Sequence, residues 1–129
     1  MNYVIQVNGG PYASFAGIHA YRFVKAALAA QHHILRIFFY QDGIYHAFRH
    51  TLPPEDESNM TSLWSTLALE QGIDLVVCIS AAQRRGLLCE DEARRQGGGG
   101  GQLADGFRIA GLGQWLEASL DADRCLVFA

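Results

Sequence analysis

The sequence predicts an α/β fold, a mostly parallel sheet with helices on both faces. Three observations carry that expectation. Short β-prone runs alternate with helical stretches along the whole chain, the order that parallel sheets require. The run at residues 73–79 (IDLVVCI) is almost uniformly apolar, as expected of a central strand covered on both sides. The 129 residues, half of them hydrophobic and 18% charged, show neither an internal repeat nor a linker, so a single domain over residues 1–129 is expected.

Taken in order, residues 3–7 form a short β-prone run that stops at the turn signal Asn8-Gly9-Gly10-Pro11. Ser14 can cap a helix to about residue 31, with Ile18, Tyr21, Phe23, Val24, Ala27 and Leu28 on its apolar face. A second strand at 34–40 is closed by Gln41-Asp42-Gly43. The segment 51–59 (TLPPEDESN) holds two prolines and three acids and reads as an exposed loop. A helix over 61–71 carries Leu63, Trp64, Leu67 and Leu69 on its apolar side and ends at Gly72. After the central strand, 80–86 reads as a helical turn and 90–95 as a short charged helix, followed by five glycines at 97–101. A strand at 107–109, a helix at 111–120 and a last strand at 124–128 complete the chain.

Charge and composition exclude several classes of function. The net charge is −3 with only ten lysines and arginines, and the dense basic pairs are Arg84-Arg85 and Arg94-Arg95, which disfavours direct nucleic-acid binding. No apolar run approaches the roughly 20 residues of a membrane span. The N-terminus enters an apolar run without a basic region or a small-residue cleavage site, which predicts a cytoplasmic protein. Three cysteines without CxxC spacing predict free thiols, with no disulfide framework and no zinc knuckle.

Among those thiols Cys78 stands out, because reactive groups in parallel sheets gather at the carboxyl ends of strands, where helix N-termini also point. A helical turn starting at Ser80, with Arg84 and Arg85 nearby, would favour the thiolate, while burial in the apolar run would oppose it. Access for a partner's sulfur is the expectation; a small apolar residue packed in a core strand is the alternative. Cys89 lies beside Glu90, Asp91 and Glu92, which oppose thiolate formation, and Cys125 is expected to pack within the last strand. His46 and His50, four apart with Glu55 and Asp56 following, match no metal motif and read as a solvated face; no metal is expected. Neither the five glycines nor Gly111-Leu112-Gly113 completes a GxGxxG, so a flavodoxin-like cofactor binder lacks its phosphate loop and no cofactor is expected. The Trp64 and Leu67 stripe reads as helix core.

The blocks Asn8-Gly9-Gly10-Pro11-Tyr12, 37–43 (IFFYQDG), 76–86 (VVCISAAQRRG) and 106–114 (GFRIAGLGQ) together resemble the DsrE family of sulfurtransferases, with its TusD and DsrE branches, over nearly the whole chain. The resemblance implies a three-layer α/β/α fold and a sulfur-relay subunit in which Cys78 carries sulfane sulfur as a persulfide. It implies a TusA-like donor, a TusE- or DsrC-like acceptor, and homologous TusB/TusC- or DsrF/DsrH-like subunits in a dimer of heterotrimers. The TusD branch would serve 2-thiouridine formation at the tRNA wobble position, the DsrE branch dissimilatory sulfur oxidation. Within this reading Arg84 and Arg85 are candidates to stabilise the anion, and Tyr12 and Tyr40 to line the approach. The glycines at 97–101 and the extra thiol Cys89 depart from the family pattern. A non-catalytic interaction subunit, with Cys78 merely packed inside, is the rival from another class. Trp64, Trp115 and the aromatic run 38–40 are expected to favour association with other chains.

Overall fold

Strands β1 (Asn2–Val7), β2 (His33–Phe39), β3 (Leu75–Cys78), β4 (Phe107–Ala110) and β5 (Arg124–Phe128) pair into one sheet in the order β4-β3-β2-β1-β5. Every pairing is parallel. The computed structural model describes residues 1–97 and 102–129, so most of the glycine run lies outside the described residues.

The strand order decides where the helices go. From β1 to β4 the chain steps one strand at a time in one direction, and from β4 to β5 it returns across the whole sheet. Right-handed crossovers place the helices of the outward steps on one face and that of the return on the other. Two adjacent residues of β2 record the result, since successive side chains on a strand point to opposite faces. Phe39 meets Trp64 of α2 (Met60–Gln71), ring centroids 5.4 Å apart, whereas Phe38 meets Trp115 of α5 (Gly113–Asp121) at 6.2 Å. α1 (Ala16–Ala29) packs with α2. This doubly wound arrangement is the fold class that the alternation of apolar runs predicts.

Local chemistry sets the element ends. The Ser14 hydroxyl accepts from the Ala16 amide at 3.0 Å, although Phe15 rather than Ser14 holds the cap position of α1. Asn59 caps α2 by accepting from the Ser62 amide at 3.1 Å, and Gly72, at φ 67°, closes it in the left-handed conformation that costs glycine little. Ile73 then donates to Ala68 and finishes the cap, so β3 begins at Leu75 instead of Ile73. It also stops at Cys78: Ile79 opens the helix α3 (Ile79–Arg84), one residue before the serine expected to start it.

Three expectations about side chains do not hold. Leu69 is 71% exposed, because α2 turns its 69–71 end away from the core. Trp64, Phe38 and Phe39 are fully buried and Tyr40 and Trp115 partly so; these aromatics are consumed by the two faces of the sheet and offer little surface for association. Cys125 is exposed: on the edge strand β5 the alternate residues Leu126 and Phe128 face α1, where Phe128 meets Phe23, and Cys125 points to the opposite side. Among the described residues no helix is long and apolar enough to cross a membrane.

Candidate functional site

A 3-10 helix, Gln41–Ala47, separates β2 from the acidic loop and packs against both β3 and α3. The sequence gives only the closing turn at its start. Gly43 lets it sit close to β1: a Cβ at this position would lie 2.0 Å from the Val7 carbonyl oxygen, so only glycine fits. The chain enters the element through Gln41, a non-glycine residue at φ 50°.

Cys78 closes β3 at this junction. Its backbone is extended (φ −61°, ψ 123°), it pairs with Ala110 of β4, and it holds the cap position of α3. The thiol sulfur lies 3.4 Å from the Ser80 hydroxyl, within hydrogen-bonding reach of a sulfur. The residue is only 1% exposed and belongs to the main hydrophobic cluster with Ile44, Ala47, Ala81 and Ala82. Against the expectation of access, the thiol is closed off, because β3 is flanked by β2 and β4 and covered at its carboxyl end by α3 and the 3-10 helix.

The other candidates distribute themselves unequally. Arg85 places Nε and Nη2 3.0 Å from the same Asp42 carboxylate oxygen and donates Nη1 to the Ala81 carbonyl at 3.1 Å. Its charge is therefore directed at the 3-10 helix. Arg84 lies on the exposed side of α3, and among the described residues it makes no side-chain hydrogen bond to the thiol. The Tyr12 hydroxyl donates to the Ser58 carbonyl at 3.0 Å and accepts from the Met60 amide at 3.3 Å, tying the turn after β1 to the junction of the acidic loop and α2. Tyr40 is half-buried with its ring 6.4 Å from that of Phe38. A shallow cavity of about 310 Å³ between Pro11, Tyr12, Asp42 and Tyr45 brings Tyr12 and Asp42 to one wall.

His46 overturns the solvated-face reading. It is fully buried, while His50 is exposed. Trp64 Nε1, which can only donate, lies 3.2 Å from His46 Nδ1, so that nitrogen accepts. The remaining proton sits on Nε2, 3.1 Å from the Gly9 carbonyl, and the ring is a neutral imidazole with both nitrogens used. Burial pushes its pKa down from 6.5 to about 4, with the Gly9 carbonyl opposing the shift. Gly17 makes the space: a Cβ there would meet His46 Cε1 at 2.3 Å. Among the described residues no group of three or more His, Cys, Asp or Glu side chains is placed to hold a metal ion.

At the opposite end of β3, Asp74 accepts both Arg108 Nε and Nη2 (2.7 and 2.8 Å) and Arg36 Nε (2.7 Å). Arg36 and Arg108 also bond Gln114 at the start of α5. The Arg108 pair holds the Asp74 carboxyl below the ordinary carboxylate range. Cys89 is exposed at the start of α4 (Glu90–Arg95) and lines a cavity of about 470 Å³ with Arg49 and Arg108.

The sequence model of the DsrE/DsrF-like family matches residues 1–128. The chain belongs to the DsrE/DsrF-like family. DsrE of Allochromatium vinosum is 46% identical to it over 128 residues, covering 99% of this chain and 98% of that protein. The sulfurtransferase TusD of Cronobacter sakazakii is 40% identical, covering 99% and 100% respectively. A TusD homologue of Pseudomonas aeruginosa is 41% identical, covering 99% and 97%. The crystal structure of the ychN protein of E. coli superposes on this DsrE/DsrF-like chain with a TM-score of 0.80 at 24% identity, over 99% of both chains, a likeness of fold.

Proposed function

We propose that this DsrE/DsrF-like chain is a sulfurtransferase subunit that receives sulfane sulfur on Cys78 as a persulfide and passes it to an acceptor thiol. The observation that carries the reading is the place of Cys78, at the carboxyl end of an inner strand, in the residue position just before α3 and 3.4 Å from a serine hydroxyl, in a chain whose relatives are sulfurtransferases by name.

The chemistry needs little beyond a thiol of this kind. The Cys78 thiolate attacks the outer sulfur of a donor persulfide; a new S–S bond forms, the donor's S–S bond breaks, and its electron pair leaves on the donor thiolate. The acceptor thiolate repeats the step on the outer sulfur of the Cys78 persulfide and returns Cys78 to a thiolate. No net oxidation occurs, and the proton lost by each attacking thiol is recovered by each leaving one. Ser80 Oγ–H donates to the sulfur anion at the start and end of each step. The core around Cys78 shelters the persulfide from oxidation.

A TusA-like carrier is the donor and a TusE- or DsrC-like protein the acceptor, with homologous subunits completing the assembly. The TusD relatives support a route to tRNA wobble 2-thiouridine; the higher identity to the Allochromatium DsrE favours a second reading, sulfur oxidation. The test is intact-mass measurement after incubation with a persulfide donor. The wild-type chain gains one sulfur, and the folded Cys78→Ser chain gains none. Sulfur retained by the variant would move the site elsewhere, and no gain by the wild type would leave the interaction-subunit alternative. Loss of 2-thiouridine from tRNA on gene deletion, against impaired sulfur oxidation, separates the two routes.

A further inference from the structure

Resting on the persulfide reading, the closed state of Cys78 poses a mechanical requirement. A sulfur donor must approach the Cys78 sulfur along the S–S axis, yet the residue is buried beneath α3 and the 3-10 helix. One of these two elements has to move for exchange to occur.

We propose that Asp42 and Arg85 form a latch holding α3 against the 3-10 helix over Cys78, and that release of this ion pair opens the thiol. Arg85 spends all three guanidinium nitrogens on the closed state: two on one Asp42 oxygen, the third on the Ala81 carbonyl of its own helix. The apolar packing beneath is thin, because the buried residues of α3 are Ala81 and Ala82. Small side chains bury little area, so a polar tie carries a larger share of the closure here than in a leucine-rich contact.

Both elements have a joint beside the latch. α3 is followed by Gly86 at φ 84°, and a residue without a Cβ can exchange that conformation for others at little steric cost. Asp42 follows Gln41, whose left-handed φ of 50° is costly for a residue with a Cβ and persists only while its surroundings hold it. Releasing Asp42 lets Gln41 relax. The pair is also reachable: the Asp42 side chain is 65% exposed and forms part of the wall of the cavity with Tyr12 and Tyr45. A docking protein presenting a basic side chain to that cavity competes for Asp42 and unlatches α3 as it binds.

The test is the rate of Cys78 alkylation by iodoacetamide in the full chain, followed by peptide mass spectrometry, with the exposed Cys89 and Cys125 as references. Asp42→Asn and Arg85→Gln each raise the Cys78 rate about fivefold, the scale of one partly exposed ion pair, and leave the reference rates unchanged. Salt at about 1 M, where charges are screened beyond ~3 Å, raises the wild-type rate similarly and the variants' little. Equal Cys78 rates in wild type and variants overturn the latch. If a variant has lost the far-UV circular dichroism of the wild type, it has lost its fold, and the wild-type salt series decides: a Cys78 rate indifferent to salt overturns the proposal. Alkylation needs no sulfur donor, so the two readings fail separately. A chain that unlatches but never gains sulfur loses the persulfide reading alone, and one that loads sulfur yet alkylates no faster loses the latch alone.

Discussion

Protonation of His46 should destabilise this protein well above the pH at which carboxylates titrate. The folded state holds the imidazole neutral with a pKa of about 4, whereas the unfolded chain returns it to 6.5. Between those values the unfolded state binds more protons, so stability rises with pH across the window and falls as pH drops through 6.5, levelling off below 4. A drop from 6.5 to about 4 corresponds to ~3 kcal/mol in full, at about 1.4 kcal/mol per pH unit. Some 2 kcal/mol of that, roughly, is lost between pH 7.5 and 5, before the carboxylates contribute. The cause is structural: a second ring proton would face the Trp64 N–H, which cannot accept it, in a fully buried site. Urea denaturation of the wild type and of His46→Gln from pH 8 to 5 measures the effect. Glutamine offers an acceptor to Trp64 and a donor to Gly9 without titrating. Contributions of the other histidines cancel in the difference between the two proteins. The expected difference profile slopes by about 2 kcal/mol, and parallel profiles would refute the reasoning.

Gly43→Ala should cost at least 2 kcal/mol or so, because its Cβ would collide with the Val7 carbonyl oxygen, which is backbone and cannot move aside; thermal unfolding reads this directly. Asp74→Asn should cost about 2 kcal/mol and steepen proteolysis around α5, since one carboxylate ties Arg36 and Arg108, and through them Gln114, to β3. An unchanged urea midpoint would show that the network is surface decoration. Cys125→Ala should change stability by less than about 0.5 kcal/mol, as expected for an exposed position. A larger loss in the melting experiment would mean that the edge strand is covered by another chain.

The fold was legible because its inner strands advertise themselves. β2 and β3 are largely apolar runs, the first closed by Gln41-Asp42-Gly43 and the second opened by Gly72 and Asp74, and Gly72 announces its own left-handed cap. Edge position was not legible: Cys125, followed by Leu126 and Val127, reads as a core residue, and only the strand order reveals that β5 has one partner. The 3-10 helix escaped because Gln41–Ala47 has too few residues for a period to show, and its stability comes from contacts with β3 and α3. His46 needed three distant residues, Gly9, Gly17 and Trp64, to become a core histidine, and none of them is signalled by spacing. At the site, sequence position singled out Cys78, while the pairing of Arg85 with Asp42 across 43 residues could not be read from the chain.

The place of β5 beside β1 governs how the chain can be born. β1 is synthesised before the other four strands of its sheet and ends up inside it, yet one of its two hydrogen-bonding edges stays vacant until residues 124–128 arrive. A nascent chain can therefore assemble β1, β2, β3 and β4 in sequence while β1 remains an open edge, a template for strands of other molecules. The closing contacts, Tyr3 with Arg124 through Val7 with Phe128, join residues 121 apart in the sequence. Such distant pairing is slow to form, and its loop entropy is spent before any contact rewards it. A ribosome stalled before residue 124 would hold a molecule with an almost complete core and an unguarded strand, which is the state in which a chaperone or a companion subunit has most to gain by binding early.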